Sequence, residues 1–307
     1  MAPQSQLEVA RKRALGYWHR YLNKPYYFFT PHRLVYRCTG DLTVSETRLP
    51  WELPIRFQPG SIIGTQLVRH GVHDFVLTEA LFRMTDRADV CVDVGANIGY
   101  TTSLLASRSG PDGRVFSYEP APDMFTLLTT NVRSWRGAPI AEIDARQMAL
   151  SSVESQLMLA TPIADDGDPG SRTLENIDDR LEAVSVQCST LDASGIESID
   201  VLKIDVEGHE LSVLQGGERF LSLRNIRDLV FEEHRRPPTA VTSHLIEAGY
   251  TVFRIEQGVG GPRLIEDIER DFAIYWDAPN YLATVEPARA LERFRRRGWH
   301  CLRPHRR

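Results

Sequence analysis

The sequence has few cysteines and no long apolar run. Its 307 residues include four cysteines that stand far apart and form no CxxC pair: Cys38, Cys91, Cys188 and Cys301. Neither a zinc site nor a disulfide framework is therefore predicted, and the thiols are expected to be reduced. No stretch reaches the roughly 18–20 apolar residues of a membrane-spanning helix, and the N-terminus lacks the apolar run of a secretory signal. We expect a cytoplasmic protein.

Charge is distributed unevenly along the chain. The net charge is −5, yet residues 1–40 carry seven Lys or Arg and one acid, and residues 289–307 carry eight Arg and one acid. Basic ends can serve solubility and form salt bridges to the acidic body between them. The N-terminal bases are interspersed with aromatic residues, so peripheral contact with an anionic membrane, or a lipid-linked or anionic acceptor, is a second interpretation. Nucleic acid is not an expected partner, because an acidic protein without a recognisable binding module binds phosphate backbones poorly.

The composition, with 42% apolar and 25% charged residues, is typical of a globular protein. At about 150 residues per domain the length suits two domains, and one elaborated α/β domain fits equally well. We divide the chain into an N-terminal extension (1–85), a main domain (86–288) and a basic C-terminal tail (289–307). The extension is predicted to contain a helix over 7–22, a strand over 42–48 and a helix over 73–84. It would suit a lid, a substrate wall or a homodimer contact.

From residue 89 onward, short β-rich runs alternate with helical ones. Strands are predicted over 89–94, 114–118, 140–149, 184–191, 199–204, 228–232, 250–255 and 281–285, and helices over 98–107, 122–135, 208–223 and 239–248. This alternation indicates an α/β fold with a mostly parallel sheet and helices on both faces.

A glycine turn follows the first strand of the main domain. Gly95 and Gly99 lack a Cβ, so a ligand can approach the backbone closely. The middle position is Asn97 rather than glycine, which weakens a nicotinamide or flavin interpretation. Glu119 stands twenty residues after Gly99 at the end of the next strand, where an acid can accept hydrogen bonds from a ribose diol. The alternative for Glu119 is a cap for the following helix.

The polar run 199–210 is the second informative segment. Its strand ends near Asp205, and ligands of open parallel sheets bind at the carboxyl ends of the central strands. Glu207 and His209 follow directly, and the next strand runs into Glu232-Glu233-His234, which would place another carboxylate and a histidine beside them. Polar groups are thus predicted to gather at one edge of the sheet.

These segments resemble the FkbM family of S-adenosylmethionine-dependent methyltransferases. The resemblance rests on VDVGANIGYT (92–101), Glu119-Pro120, Ala149-Leu150-Ser151 and above all LKIDVEGHELSVLQG (202–216), and covers roughly residues 74–285. It implies a Rossmann-like class I methyltransferase fold with a seven-stranded sheet, S-adenosylmethionine as cofactor, and methyl transfer to a hydroxyl of a sugar, glycolipid or natural product. Carried over by position, the residues that would contact the methionine, ribose and adenine are Asp93, Gly95, Asn97, Gly99, Glu119, Gln147 and Met148. Asp205 would face the methionine end, and Glu207 would lie beside the acceptor.

An alcohol acceptor must also lose a proton during the transfer. Its pKa lies near that of bulk water, about 15.7, so a general base assists, and histidine suits that task. His234 is the favoured candidate, with Glu233 to orient its ring, and His209 is the second; a structural role remains the alternative for both. In a variant of this mechanism Asp205, Glu207 and His234 would bind a magnesium-like ion, although the main interpretation includes no metal.

Two other functions use the same fold. A nicotinamide-dependent oxidoreductase shares the sheet, the turn and the ribose acid, but gives no role to the run from Ile204 to Glu210. A non-catalytic binding module would retain the cofactor fold without turnover. The presence of both Glu119 and Asp205 favours the methyltransferase over the module.

Overall fold

The computed structural model describes residues 44–162, 181–258, 260–270 and 279–302. The predicted helix over 7–22, its basic and aromatic neighbours and Cys38 lie outside these ranges. Cys91, Cys188 and Cys301 are free and buried. Within the described residues, no helix is both long and apolar enough to cross a membrane.

The elements follow the predicted alternation of strands and helices. The strands are β1 (Glu46–Arg48), β2 (Pro54–Arg56), β3 (Val90–Val94), β4 (Arg114–Tyr118), β5 (Glu142–Arg146), β6 (Ala149–Leu150), β7 (Ser155–Pro162), β8 (Leu181–Ser189), β9 (Ile199–Ile204), β10 (Ile226–Glu232), β11 (Thr251–Glu256), β12 (Arg263–Ile265) and β13 (Asn280–Thr284). The helices are α1 (Ile62–His70), α2 (Phe75–Met84), α3 (Tyr100–Ser109), α4 (Pro122–Ser134), α5 (Glu210–Gln215), α6 (Glu218–Ser222), α7 (Ala240–Glu247) and α8 (Pro287–Arg295), and a 3-10 turn spans His300–Leu302.

In the described part of the chain, eight strands form the main sheet, in the order β12-β11-β13-β10-β9-β3-β4-β5. The five strands from β10 to β5 pair in parallel, whereas β13 runs antiparallel to both β10 and β11. Seven of the predicted strands belong to this sheet, which confirms the mostly parallel arrangement, and β12 adds an eighth strand at the edge. The strand predicted over 184–191 belongs instead to a separate sheet, in which β8 lies between β6 and β7.

Helices cover both faces of the main sheet, as predicted. Cys91 of β3 belongs to the core cluster that contains Leu104 and Leu105 of α3. Its neighbour Val92 belongs to the cluster on the opposite face, which contains Leu245 of α7. Because a central parallel strand is buried on both faces, its sequence is apolar almost without interruption.

The segment predicted as one helix over 208–223 is two short helices. Gly216 and Gly217 separate α5 from α6. A Cβ at Gly216 would collide with the carbonyl oxygen of Ser151, so glycine allows the two backbones to approach closely. Glycine also lowers helix propensity by about 1 kcal/mol relative to alanine, which favours a break here.

The described part of the N-terminal extension packs against the main domain. Trp51, between β1 and β2, is buried and donates a 3.0 Å hydrogen bond from Nε1 to Ser103 Oγ in α3. The side chain of Asn131 in α4 pairs with the backbone N–H and carbonyl of Arg56 at 2.8 and 3.0 Å. Its Nδ2 also donates to the carbonyl of Ile98 at 2.8 Å. The hairpin of β1 and β2 is thereby bonded to the helices that follow the glycine turn.

Helix α8 and the 3-10 turn replace most of the predicted C-terminal tail. Arg289 pairs with Asp228 at 2.6 Å and with Asp86 at 2.7 Å, and Arg293 pairs with Asp86 at 2.6 Å. Arg83 of α2 donates to the carbonyls of residues 293, 296 and 298 at 2.7–2.8 Å. The salt-bridge interpretation therefore holds for Arg289 and Arg293, which bind acids of the main domain. The division at residue 289 stays a prediction.

Candidate active site

The glycine turn between β3 and α3 lies against the tip of β9. The N–H groups of Gly95 and Ala96 both donate to the carbonyl of Tyr118 at 3.0 Å. Gly95 has φ +76, and a Cβ there would collide with the carbonyl oxygen of Asp205. Only glycine combines this backbone conformation with so close an approach. The glycine turn and the end of β9 are therefore adjacent, as expected for two segments at the carboxyl ends of central strands.

Asn97 and Glu119 are joined across the turn. Asn97 has φ +50, and asparagine is one of the few residues that tolerate this region. Its N–H donates to Glu119 Oε2 at 2.8 Å, and the N–H of Ala121 donates to Glu119 Oε1 at 2.8 Å. These bonds fix the orientation of a buried carboxylate. Each carboxylate oxygen can accept a second hydrogen bond, so Glu119 can cap the start of α4 and still accept ribose hydroxyls.

Asp93 lies beneath the turn and is completely buried. Its Oδ2 accepts hydrogen bonds from the hydroxyls of Thr101 and Thr102 at 2.8 and 2.7 Å. Its Oδ1 is 3.3 Å from Lys203 Nζ. Both oxygens therefore face protein groups, and Asp93 supports the turn from below.

The loop after β9 is folded around Glu210. One oxygen of this buried carboxylate accepts the N–H groups of Val206 and Gly208 at 3.2 and 3.1 Å, although burial raises the pKa of Glu210. The backbone of Glu207 in this loop has φ +52, which is uncommon for residues other than glycine or asparagine. Its side chain and that of Asp205 are about one-third exposed, at 38% and 34%. The loop thus presents two carboxylates at the edge of the sheet.

A further acid lies at the end of β10. Glu232 is half-buried beside Asp205 and forms a hydrogen bond with it. Burial, and then the negative charges of Asp205, Asp74 and Glu207, raise the pKa of Glu232 to about 10. Glu232 therefore carries a proton at neutral pH. Asp74, at the start of α2, approaches the same group and accepts a 2.9 Å hydrogen bond from Asn280 Nδ2.

His234 follows β10 at the exposed rim. Its side chain is 57% exposed, and its Nε2 is 3.9 Å from Glu207 Oε2. Glu233, which was expected to orient this ring, is buried and accepts hydrogen bonds from the N–H and Nε of Arg235 at 2.9 and 3.2 Å. That expectation is wrong, because the carboxylate of Glu233 is buried and bonded to Arg235. Glu207 is the carboxylate beside His234.

His209 occupies a different environment. It is buried, and its Nε2 is 3.0 Å from Ser151 Oγ. This contact connects the loop after β9 with the residue that follows β6.

The residues predicted for adenine lie beyond Glu119. Gln147 is exposed and Met148 is half-buried against the core. The carbonyl of Arg146, at the end of β5, accepts the N–H groups of both Met148 and Glu119 at 3.1 Å. Both residues therefore follow the strand next to that of Glu119.

The predicted site residues are thus distributed over one edge of the sheet, at the carboxyl ends of β3, β4, β5, β9 and β10. Sequence reasoning assigned no individual role to four polar residues there: Asp74, Lys203, Glu232 and Asn280. Lys203 had a detectable signal, because a charged residue inside a buried apolar strand requires a partner. Glu232 occupies the strand-end position that identified Asp205.

The chemistry of this edge suits a nucleoside cofactor. Glu119 provides oriented acceptors for a diol, and the glycine turn beside it is packed against the carbonyl of Asp205. For a metal ion, no group of three or more His, Cys, Asp or Glu within the described ranges has the arrangement of a binding site.

The strand order and the turn after β3 define a class I methyltransferase fold, the fold that the resemblance implied. The sequence profile of the family described as "Methyltransferase FkbM domain" matches residues 93–252. This range is more than half of the chain and includes the glycine turn, Glu119 and the loop after β9. The protein belongs to the FkbM methyltransferase family.

The chain is also similar to individual methyltransferases. The chain is 32% identical over 175 residues to hexuronic acid methyltransferase AglP of Haloferax volcanii, a match that covers 55% of this chain and 66% of AglP. It is 31% identical over 171 residues to methyltransferase sdnD of Sordaria araneosa, covering 44% of this chain and 63% of sdnD. The chain thus spans slightly less than two thirds of these relatives. The crystal structure of methyltransferase FkbM from Methylobacillus flagellatus has a TM-score of 0.43 and 16% identity, and the match covers 81% of this chain and 52% of that chain.

Proposed function

We propose that the protein transfers a methyl group from S-adenosylmethionine to a hydroxyl oxygen of a sugar, glycolipid or natural product. The observation that carries the proposal is the contact between Gly95 and the carbonyl of Asp205. Because of this contact, the glycine turn and the loop after β9 lie side by side, so that a cofactor and an acceptor can meet there.

The cofactor side of the site consists of the turn and the ends of β4 and β5. Gly95, Asn97 and Gly99 would contact the methionine part through backbone groups, and Glu119 would accept the ribose hydroxyls. Gln147 and Met148 would flank the adenine. When bound, S-adenosylmethionine supplies an electrophilic methyl group.

The acceptor side consists of the loop after β9 and the end of β10. Methyl transfer requires the acceptor oxygen in line with the donor, so much of the rate enhancement comes from positioning. Carboxylates accept hydrogen bonds from hydroxyl groups, and Asp205 and Glu207 are partly exposed for this purpose. His234 would remove the proton of the acceptor, and Glu207, 3.9 Å from its ring, would stabilise the resulting imidazolium. The burial of His209 and its contact with Ser151 favour His234 as the base.

A sugar acceptor is supported by one relative and by the chemistry of the rim. The name of AglP states that it methylates hexuronic acid, and AglP is 32% identical to this chain. Sugars present several hydroxyl groups, and hydrogen-bond acceptors such as Asp205, Glu207 and Asp74 match such a surface.

The test is a transfer assay with S-adenosylmethionine carrying a labelled methyl group. The full chain is incubated with free hexuronic acids, neutral sugars and a lipid extract, and labelled products are identified by mass spectrometry. Treatment with mild alkali separates methyl esters, which hydrolyse, from methyl ethers, which persist. Labelled methyl ethers of a sugar or lipid-linked sugar are the expected product.

Two controls distinguish the alternatives. Thermal stabilisation by S-adenosylmethionine but not by NADH is expected, because a ligand stabilises the folded state that binds it. Stabilisation by NADH alone would favour an oxidoreductase. Binding of S-adenosylmethionine without transfer to any acceptor would favour the non-catalytic module. A reaction abolished by chelation and restored by magnesium would favour the metal variant.

A further inference from the structure

Lys203 is a buried cation at the centre of the candidate site. It is the fifth residue of β9, and its side chain is 2% exposed. Its ammonium donates to the carbonyl of Gly95 at 2.7 Å and to that of Val94 at 3.2 Å. It also lies 3.3 Å from Asp93 Oδ1 and 3.8 Å from Asp205 Oδ2.

The partners of Lys203 belong to two different strands. Gly95 and Val94 form the end of β3 and the start of the turn, and Asp205 directly follows β9. The ammonium therefore bridges the two strand ends that border the site. Burial alone would lower the pKa of Lys203, but the charges of Asp93 and Asp205 outweigh it, so the pKa is raised and the group stays charged.

We propose that Lys203 is a positioning residue for the cofactor, because its bonds to the carbonyls of Val94 and Gly95 hold the glycine turn in its binding conformation. The inference rests on the proposed function. The N–H groups of residues 95–99 are all bonded within the protein. Lys203 therefore acts on the shape of the turn, through its bonds to the two carbonyls. Without these bonds, a turn that contains two glycines can adopt other conformations. Ligand binding must then offset the entropy that is lost when the turn becomes ordered.

A purely structural role is the competing explanation. In that case Lys203 only neutralises Asp93, whose carboxylate is completely buried, and its removal harms the protein because an unpaired buried charge is costly. The two roles separate when Asp93 is neutralised as well. In Asp93→Asn/Lys203→Met, no fully buried charge is left unpaired, because Asp205 is about one-third exposed, but the carbonyls of Val94 and Gly95 still lack their donor.

A matched control exists in α2. Arg83 is also a buried cation, with a side chain 4% exposed, which pairs with Glu79 at 2.7 Å and donates to backbone carbonyls at 2.7–2.8 Å. Its partners belong to α2 and the C-terminal segment. Arg83→Met therefore removes the same kind of interaction away from the turn.

The experiment measures unfolding by urea and the affinities for S-adenosylmethionine and S-adenosylhomocysteine by calorimetry, in the full chain and the three variants. Lys203→Met and the double variant are expected to bind both ligands at least about ten-fold more weakly, since hydrogen bonds to a charged group are lost. The double variant should regain most of the stability that Lys203→Met loses. Arg83→Met should lose stability and keep wild-type affinity.

Three results decide the inference. If the double variant binds both ligands within about two-fold of the wild type, the inference is overturned in favour of charge neutralisation. A two-fold change in affinity is well below the ten-fold change that corresponds to 1.4 kcal/mol. If Arg83→Met loses as much affinity as Lys203→Met, the inference is also overturned, because the loss of affinity would then result from lower overall stability. If the wild-type chain binds neither ligand, the proposed function itself fails, and the inference fails with it.

Discussion

Glu232 lies beside Asp205 at the ends of two adjacent parallel strands and forms a hydrogen bond with it. Burial and the charges of Asp205, Asp74 and Glu207 raise the pKa of Glu232. The pair therefore carries one proton and one negative charge at neutral pH, as closely placed carboxyl groups commonly do. One carboxylate can then accept a hydrogen bond from an acceptor hydroxyl while its neighbour remains neutral.

The raised pKa of Glu232 predicts how stability depends on pH. A carboxyl group whose pKa is higher in the folded state contributes stability that is complete below its unfolded value, here 4.5, and is lost as the pH rises through the folded value. Glu232→Gln is neutral in both states. The free energy of unfolding of the wild type should therefore fall relative to Glu232→Gln between pH 5 and pH 9, measured by urea unfolding. A difference between wild type and Glu232→Gln that stays constant over this range would contradict the shared proton.

Gly95 and Gly137 give a matched test of the close contact at the turn. Both have positive φ, but a Cβ at Gly137 meets open space, whereas a Cβ at Gly95 collides with the carbonyl of Asp205. Gly137→Ala should cost about 1–2 kcal/mol for the left-handed conformation alone. Gly95→Ala should lose about 1–3 kcal/mol more through overpacking, together with binding of S-adenosylmethionine. Equal losses of unfolding free energy in the two variants would show that the two strand ends are not in contact.

The opposite edge of the sheet is predicted to serve stability and not binding. Arg227 pairs with Asp89, Asp200 and Asp228 at 2.7–2.9 Å, where the parallel strands begin. Arg227→Met should cost about 3 kcal/mol, because it leaves the buried carboxylate of Asp89 without a cation, whereas Asp228 keeps its pair with Arg289. Its affinity for S-adenosylmethionine should be unchanged. The exposed pair of Arg56 and Glu46 is the control, since Arg56→Met should cost less than about 1 kcal/mol by urea unfolding. A loss of affinity in Arg227→Met would show that the two edges are coupled.

The choice of base predicts different effects for two histidines. His234→Ala should lower kcat about 10²- to 10⁴-fold, the usual contribution of a general base, with little effect on the affinity for S-adenosylmethionine. His244 is the control, because it also pairs with a carboxylate, Glu218 at 3.1 Å, but belongs to α7. His244→Ala should leave kcat unchanged. Wild-type turnover in His234→Ala would exclude it as the base.

The fold was predictable because each central strand is an apolar run bounded by turn residues. Strands β4 and β9 have the predicted bounds, since Arg114–Tyr118 and Ile199–Ile204 are buried sequences between clear breaks. Strand β1 lies within the strand predicted over 42–48, whereas helix α1 and strand β2 were missed, because the prolines in this region are typical of irregular chain. The break between α5 and α6 depends on the distant carbonyl of Ser151, which no local pattern reveals.

The sequence predicted which edge of the sheet holds the candidate site, but not which side chains pair with each other there. The carboxyl-end rule identified Asp205 and His234, because it depends only on where strands end. It could not assign Glu233 to Arg235 or Glu207 to His234, since these contacts depend on the path of the loops. Asp74 was missed because it reaches Glu232 from an element that precedes the family motifs.

Calorimetric titration with S-adenosylmethionine tests the central claim most directly, on the wild type, Glu119→Gln and the exposed control Glu142→Gln. The wild type and Glu142→Gln should show saturable binding at one site. Glu119→Gln should bind at least about ten-fold more weakly, since an amide cannot accept bonds from both Asn97 and Ala121 and from a ribose diol. Absence of heat in the wild type, or equal affinity in all three proteins, would contradict the account.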